Sequence, residues 1–167
     1  IVAEMCEVDR DPTAKRINLG KLYGMGLPKL CRDLNISLEK GREIDAKYNL
    51  MIPESRDFLK YCERKCKSSG FVRSKLGRRR RLDYDLAHKA GNAVIQMSSA
   101  DQTKVKMVEV DEYFQKVGGA GLLLQVHDEL SWWFDKKNKE ADLEANRIMR
   151  SFGPDDEFEM SLPIRTD

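Results

Sequence analysis

Apolar positions in the first seventy residues recur with helical spacing and are cut into segments by Gly and Pro. Asp11-Pro12 reads as an N-cap followed by proline at the first helical position, opening a helix over about 12–24 that Gly24 and Gly26 stop. Leu27–Leu34 and Leu38–Leu50 read as two further helices, the second ending before Pro53. Glu54–Ser68 is a basic amphipathic helix closed by Gly70. The pattern then changes: Phe71–Leu76, Gly77 and the run Arg78–Arg81 read as a strand or extended hairpin with a turn. A long helix spans about Leu86–Val117, and Gly118, Gly119 and Gly121 break it.

The stretch LLLQVHDELSWWF (122–134) is strand-like on both sides of three ionisable residues, His127, Asp128 and Glu129. Alternation puts Leu122, Leu124 and Val126 on one face, with Leu123 and Gln125 on the other. The stretch therefore reads as a β-hairpin with Asp128 where alternation gives way to the turn. A helix over Lys136–Phe152 follows, then a short strand over Phe158–Ile164, ended by Pro163. Helices first, then a hairpin with flanking helices, predict an α+β fold. A carboxylate projecting from a rigid turn, with Glu129 aimed differently, suits magnesium, which takes few protein carboxylates and fills its octahedron with waters and phosphates. The plainer reading is a polar turn that caps a hairpin, and these residues alone leave both open.

The 167 residues suffice for one cored domain or parts of two. No apolar run is long enough to cross a membrane, and the start has no signal-peptide pattern. The chain begins with Ile1, which suggests a piece of a longer polypeptide. Cys62 and Cys66 lie one turn apart on a helix, but structural zinc needs two more ligands and no second pair is nearby. Reduced thiols in a cytosolic protein fit the four cysteines better.

The net charge of +2 conceals an asymmetry. Lys60–Lys89 holds eleven Lys or Arg against three Asp or Glu, whereas Asp128–Asp167 holds six against eleven. A basic sector beside an acidic one suggests a polyanion held near a metal-binding or solvated acidic surface.

Four segments carry a resemblance. QVHDEL within LLLQVHDEL resembles the last sequence motif of the family-A, DNA polymerase I-like enzymes. AKRINLGKLYGM (14–25) resembles the family's fingers helix, GFVRSKLGRRRR (70–81) its glycine–arginine segment, and NAVIQMSSAD (92–101) its Asn-x3-Gln helix. All four stand in family order and cover most of the chain. The resemblance implies a fingers remainder over 1–85 and a C-terminal palm part over 86–167, the latter with an antiparallel hairpin carrying the acidic motif.

It also implies template-directed DNA synthesis: attack by a primer 3′-hydroxyl on the α-phosphorus of a dNTP, with two Mg2+ ions and primer–template DNA as partner. Lys15, Leu19 and Tyr23, at i, i+4 and i+8, would face the incoming nucleotide, with Gly24 ending the helix. Lys15 would bind the phosphates and could protonate the departing pyrophosphate. His88, Asn92 and Gln96 form a second stripe, with Ala90, Val94 and Ile95 packing inward. Its amides would test the minor groove. His127 would approach the primer end, and Arg78 and Arg79 would grip DNA phosphates. Asp128 would be the metal ligand and Glu129 a peripheral catalytic carboxylate.

Three departures stand out. The family's other metal-binding aspartate, in an upstream motif, has no counterpart here. Asp11 stands where a phosphate-binding arginine is expected, a contact that Arg10 could replace while Asp11 caps the helix. Leu19 replaces an aromatic residue, and His88 a common arginine. The substitutions suit a divergent, including a viral, member. The rest of the polymerase, thumb and upstream palm, would lie on the same chain or a separate one. The alternative is a non-catalytic DNA-binding fragment or one subunit of a split polymerase.

Overall fold

The computed structural model describes residues 2–151, so the expected strand over Phe158–Ile164 lies outside the described residues. The elements in chain order are α1 (Val2–Cys6), a π-type turn (Arg10–Ala14), α2 (Lys15–Leu22), α3 (Leu27–Leu34), α4 (Leu38–Met51) and α5 (Pro53–Ser69). Then come β1 (Phe71–Arg73), β2 (Arg79–Arg81), a 3₁₀ turn (Tyr84–Lys89), α6 (Ala90–Val117), β3 (Ala120–Val126), β4 (Glu129–Phe134) and α7 (Lys139–Arg150). Helices and two separate antiparallel hairpins make the fold α+β. Two compact units divide the chain within α6. The first runs to Arg73 and includes Arg79–Ile95; the second takes Ser74–Arg78 and the chain from Gln96 onward.

The first unit is helical. Cys6, Ile17, Leu30, Ile44 and Tyr48 form its buried centre, with Met25, Leu27, Leu34 and Met51 packed against it. Tyr48 donates its hydroxyl hydrogen to Asn18 Oδ1 at 3.0 Å, satisfying the polar end of a buried ring. The helix ends follow local chemistry. Ser37 Oγ accepts from the Lys40 amide at 3.2 Å, Pro53 opens α5, and Gly70 closes it at φ 73.

One boundary is corrected. The chain enters its helical turn at Arg10, with Asp9 in the N-cap position and without a side-chain cap bond, so Asp11 is not the cap. Pro12 sits inside that first turn, where amides lack intrahelical partners and a missing N–H costs little.

In the second unit Val110, Phe114, Ala141 and Ala145 form the buried centre, with Leu122, Trp132 and Ile148 against it. Trp132 donates its indole N–H to Asp142 Oδ1 at 2.9 Å, tying β4 to α7. α7 begins later than Lys136 because Asn138 caps it, accepting from the Ala141 amide at 3.3 Å.

The hairpin faces are also corrected. Leu122 pairs with Trp132 and Leu124 with Ser131, leaving Leu123 as a β-bulge. Cross-strand partners share a face, so the bulge turns Leu124 and Val126 away from Leu122. Leu122 packs into the core while Leu123, Leu124 and Val126 are exposed. A single inserted residue inverts a strict alternation.

Two further elements are shorter than their patterns suggest. β1 stops at Arg73 because Ser74 begins the turn, its Oγ accepting from the Arg78 amide at 3.1 Å. The stretch before Ala90 is a 3₁₀ turn, so His88 is not on the α-helix that carries Asn92 and Gln96.

Candidate active site and nucleic-acid interface

α2 shows two faces. Ile17 is buried, Asn18 meets Tyr48, and Lys21 pairs with Asp45 on α4. Lys15, Leu19 and Tyr23 lie on the other face and are exposed, Leu19 by 43% and Tyr23 by 44%. Lys15 makes no ion pair among the described residues. The helix therefore leaves a cation and two apolar side chains in a row, facing solvent. Gly24 at φ 79 ends it, its amide bonding to the Lys21 carbonyl at 3.0 Å, while the Met25 amide returns to the Gly20 carbonyl at 2.7 Å. The backbone of Arg10 and Asp11 belongs to the preceding turn.

On α6 the inward residues are Ala90, Ala93 and Met97, whereas Val94 and Ile95 are only half-buried, a correction to the expected packing. The 3₁₀ turn offsets the predicted stripe by its tighter winding. Gln96 is exposed; Asn92 is half-buried, with its Oδ1 enclosed and unpartnered. His88 is exposed, with Nδ1 2.9 Å from the Asp85 carbonyl.

The β3–β4 hairpin closes with a two-residue turn, His127-Asp128, between the paired residues Val126 and Glu129. Such turns need positive φ, and His127 takes φ 56, which costs a residue with a side chain about 1–2 kcal/mol. Gln125 Nε2 donates to the His127 carbonyl at 3.0 Å and holds the turn. His127, Asp128 and Glu129 are all exposed. Neither carboxylate has a hydrogen-bond or ion-pair partner among the described residues. Asp128 thus offers bare, hard oxygen donors on a fixed support. Among the described residues no group of three or more His, Cys, Asp or Glu is placed to hold a metal ion.

The arginines part company. Arg78 Nε lies 2.7 Å from Asp101 Oδ1, and its Nη2 donates to the Met97 carbonyl at 3.2 Å. With the Lys75 amide on Ser98 Oγ at 2.9 Å, these bonds pin the Ser74–Arg78 turn to α6. Arg79 instead lies over the Phe71 ring, 5.1 Å from its centroid, and makes no ion pair among the described residues. Asp101 closes the segment NAVIQMSSAD, whose pattern assigns it no role; the structure shows it holding Arg78.

All four cysteines are free thiols; Cys62 and Cys66 are buried in α5, and burial pushes both thiol pKa values up. No helix of the described residues is long and apolar enough to cross a membrane.

The family model for DNA polymerase family A matches residues 2–167. A DNA polymerase I of Helicobacter pylori is 31% identical over 176 residues, covering 99% of this chain and 19% of that one. A DNA-directed DNA polymerase of Pseudomonas phage M6 is 30% identical, covering all of this chain and 29% of its own length. The POL domain of Pol1 from M. smegmatis, solved in complex with DNA primer–template and dNTP, superposes with a TM-score of 0.79 at 29% identity, over 89% of this chain and 30% of that chain. This chain therefore spans less than a third of the length of these relatives. On its sequence and its fold alike, the chain belongs to DNA polymerase family A.

Proposed function

We propose that this chain supplies the nucleotide-binding helix and one metal-binding carboxylate of a DNA-directed DNA polymerase. The observation that carries the reading is Asp128. It stands exposed at the tip of a two-residue turn, without a partner among the described residues, in a chain whose family match runs through all four motifs. Lys15 Nζ attracts the nucleotide triphosphate as a point charge and gives a proton to the departing pyrophosphate oxygen. Leu19 and Tyr23 offer base and sugar a flat apolar surface, with Gly24 ending the helix beneath them. Asn92 and Gln96 donate amide hydrogens to minor-groove acceptors that every base pair shows, which tests pair shape without reading sequence. His127 orients the primer terminus.

Magnesium bound at such a site lowers the pKa of the attacking hydroxyl and offsets charge on the leaving oxygen. Asp128 is the ligand this chain contributes, and Glu129 stands beside it as a peripheral carboxylate. The remaining ligands come from polymerase outside the described residues, on the same chain or another. The second reading is one subunit of a split polymerase, with those ligands on a separate chain.

Primer extension tests both. The purified chain alone is expected to give no magnesium-dependent synthesis, and synthesis by it would overturn the incomplete-site reading. Activity restored by adding a separately expressed upstream part would select the split form.

A further inference from the structure

The face of α2 opposite Lys15, Leu19 and Tyr23 is held by little apolar packing. Among the described residues of the helix Ile17 alone is buried, and it joins Ile44 and Tyr48 of α4. Gly20, in the middle of the helix, has no side chain and a freer backbone than other residues. Burial of one apolar side chain is non-directional and does not set how a helix is turned about its axis. Two polar ties to α4 do. The Tyr48 hydroxyl donates to Asn18 Oδ1 at 3.0 Å, and about one turn further along α2 the Lys21 ammonium pairs with Asp45 Oδ1.

The second tie is a fixed joint. The Lys21 and Asp45 side chains are only 13% and 29% exposed, and the other Asp45 oxygen accepts from Asn49 Nδ2 at 3.0 Å. Both carboxylate oxygens are therefore engaged, and a polar network satisfied in this way specifies one arrangement rather than several. Its net contribution to stability is small, because desolvation offsets the Coulombic gain of a partly buried pair. What it supplies is geometry. Lys21 stands two residues before Tyr23, and its carbonyl accepts from the Gly24 amide at 3.0 Å, so the pair anchors the end of the helix that carries Tyr23. Lys15 lies about 9 Å away along the axis, towards the other end.

From these contacts we infer that Lys21 and Asp45 are positioning residues for the nucleotide-binding face. By fixing the rotation of α2 at its Tyr23 end, the pair holds Leu19 and Tyr23 where base and sugar meet them. Neither residue touches substrate. Loss of the pair turns the apolar end of the row away from a nucleotide whose phosphates Lys15 still holds. Its signature is weaker nucleotide binding with the chemical step nearly intact. The inference rests on the reading of α2 as the nucleotide-binding helix.

The test replaces the pair by apolar side chains, Lys21→Met together with Asp45→Leu, in the intact polymerase. Such a replacement of a partly buried ion pair leaves stability unchanged or higher, so the urea midpoint is expected to hold. The KM for dNTP is expected to rise about tenfold while kcat falls less than about threefold. An unchanged KM, or a fall in kcat as large as the rise in KM, would overturn the inference. If the apolar pair lowers the urea midpoint, the exchanged pair decides. Lys21→Asp alone is expected to raise KM, and adding Asp45→Lys to restore it to within about twofold of wild type. Equal KM in the single and exchanged variants overturns the inference. Lys15→Gln in the same enzyme separates this inference from the reading of the helix. KM unmoved by Lys15→Gln sinks that reading. KM raised by Lys15→Gln but not by the apolar pair sinks this inference alone.

Discussion

The two hairpins use charge in opposite ways. In the first, strands of three residues are joined by the Ser74–Arg78 turn, and that turn is consumed by the protein: Ser74 closes it and Arg78 is bound to Asp101 and Met97. Its outward charge rides on the strands. In the second, strands of seven and six residues are held from one side by core packing, with Phe114 and Trp132 ring centroids 6.3 Å apart, and the turn itself is left bare. Asp128 and Glu129 have no partner among the described residues. A charged group that already has internal partners is spent on structure. One left unpaired on a rigid support is available to a ligand.

Removing the bare carboxylate should have the largest effect. Asp128→Ala in the intact polymerase is expected to abolish nearly all primer extension while DNA affinity measured by anisotropy changes little. Activity within about tenfold of wild type would mean that the turn of the second hairpin is no more functional than that of the first.

The packing half of the contrast is tested by Trp132→Ala. It removes a core ring and the bond to Asp142, and should cost about 3–5 kcal/mol in urea unfolding. A loss near zero would show that the second hairpin does not depend on its core face.

His127→Gly separates strain from function. Relief of the positive φ should raise stability by about 1 kcal/mol, while loss of the imidazole lowers the rate of primer extension. Unchanged rate would remove His127 from the primer terminus.

The first hairpin makes a finer prediction. Arg79→Ala should lower the salt slope of DNA binding by about 0.9, and Arg78→Ala by less, because the Arg78 charge is already committed to Asp101. Equal slopes for the two variants would erase the distinction between spent and available charge. Smallest of all, Leu19→Phe should tighten nucleotide binding a few-fold through ring contact with base and sugar, read by titration with dNTP. Equal affinity would place the nucleotide on another face.

Much of this was legible along the chain. The exposed row Lys15, Leu19 and Tyr23 follows from helical period, because Ile17, Asn18 and Lys21 have partners on the opposite side. Gly70 and Gly24 ended their helices as expected, since each takes positive φ at almost no cost. Asp128 fell at the turn because an apolar run on each side needed a reversal between them. Other features were not legible. Asp9 and Asp11 are chemically alike, so the local pattern could not say which opens the helical turn. The bulge at Leu123 was hidden because LLL offers no residue that alternation would single out.

The sequence by itself determined the family, the order of elements and the identity of the turn carrying Asp128. These rest on short-range spacing and on motifs read in chain order. Tertiary structure alone decided which face of β3 is buried and which arginine is free. Both depend on partners distant in sequence: Trp132 across the strands from Leu122, and Asp101 on a helix far along the chain from Arg78. A side chain's own type and neighbours set what it can bind. Only the packed chain decides whether an internal partner reaches it first, because a well-placed internal carboxylate engages a guanidinium whether or not DNA is present.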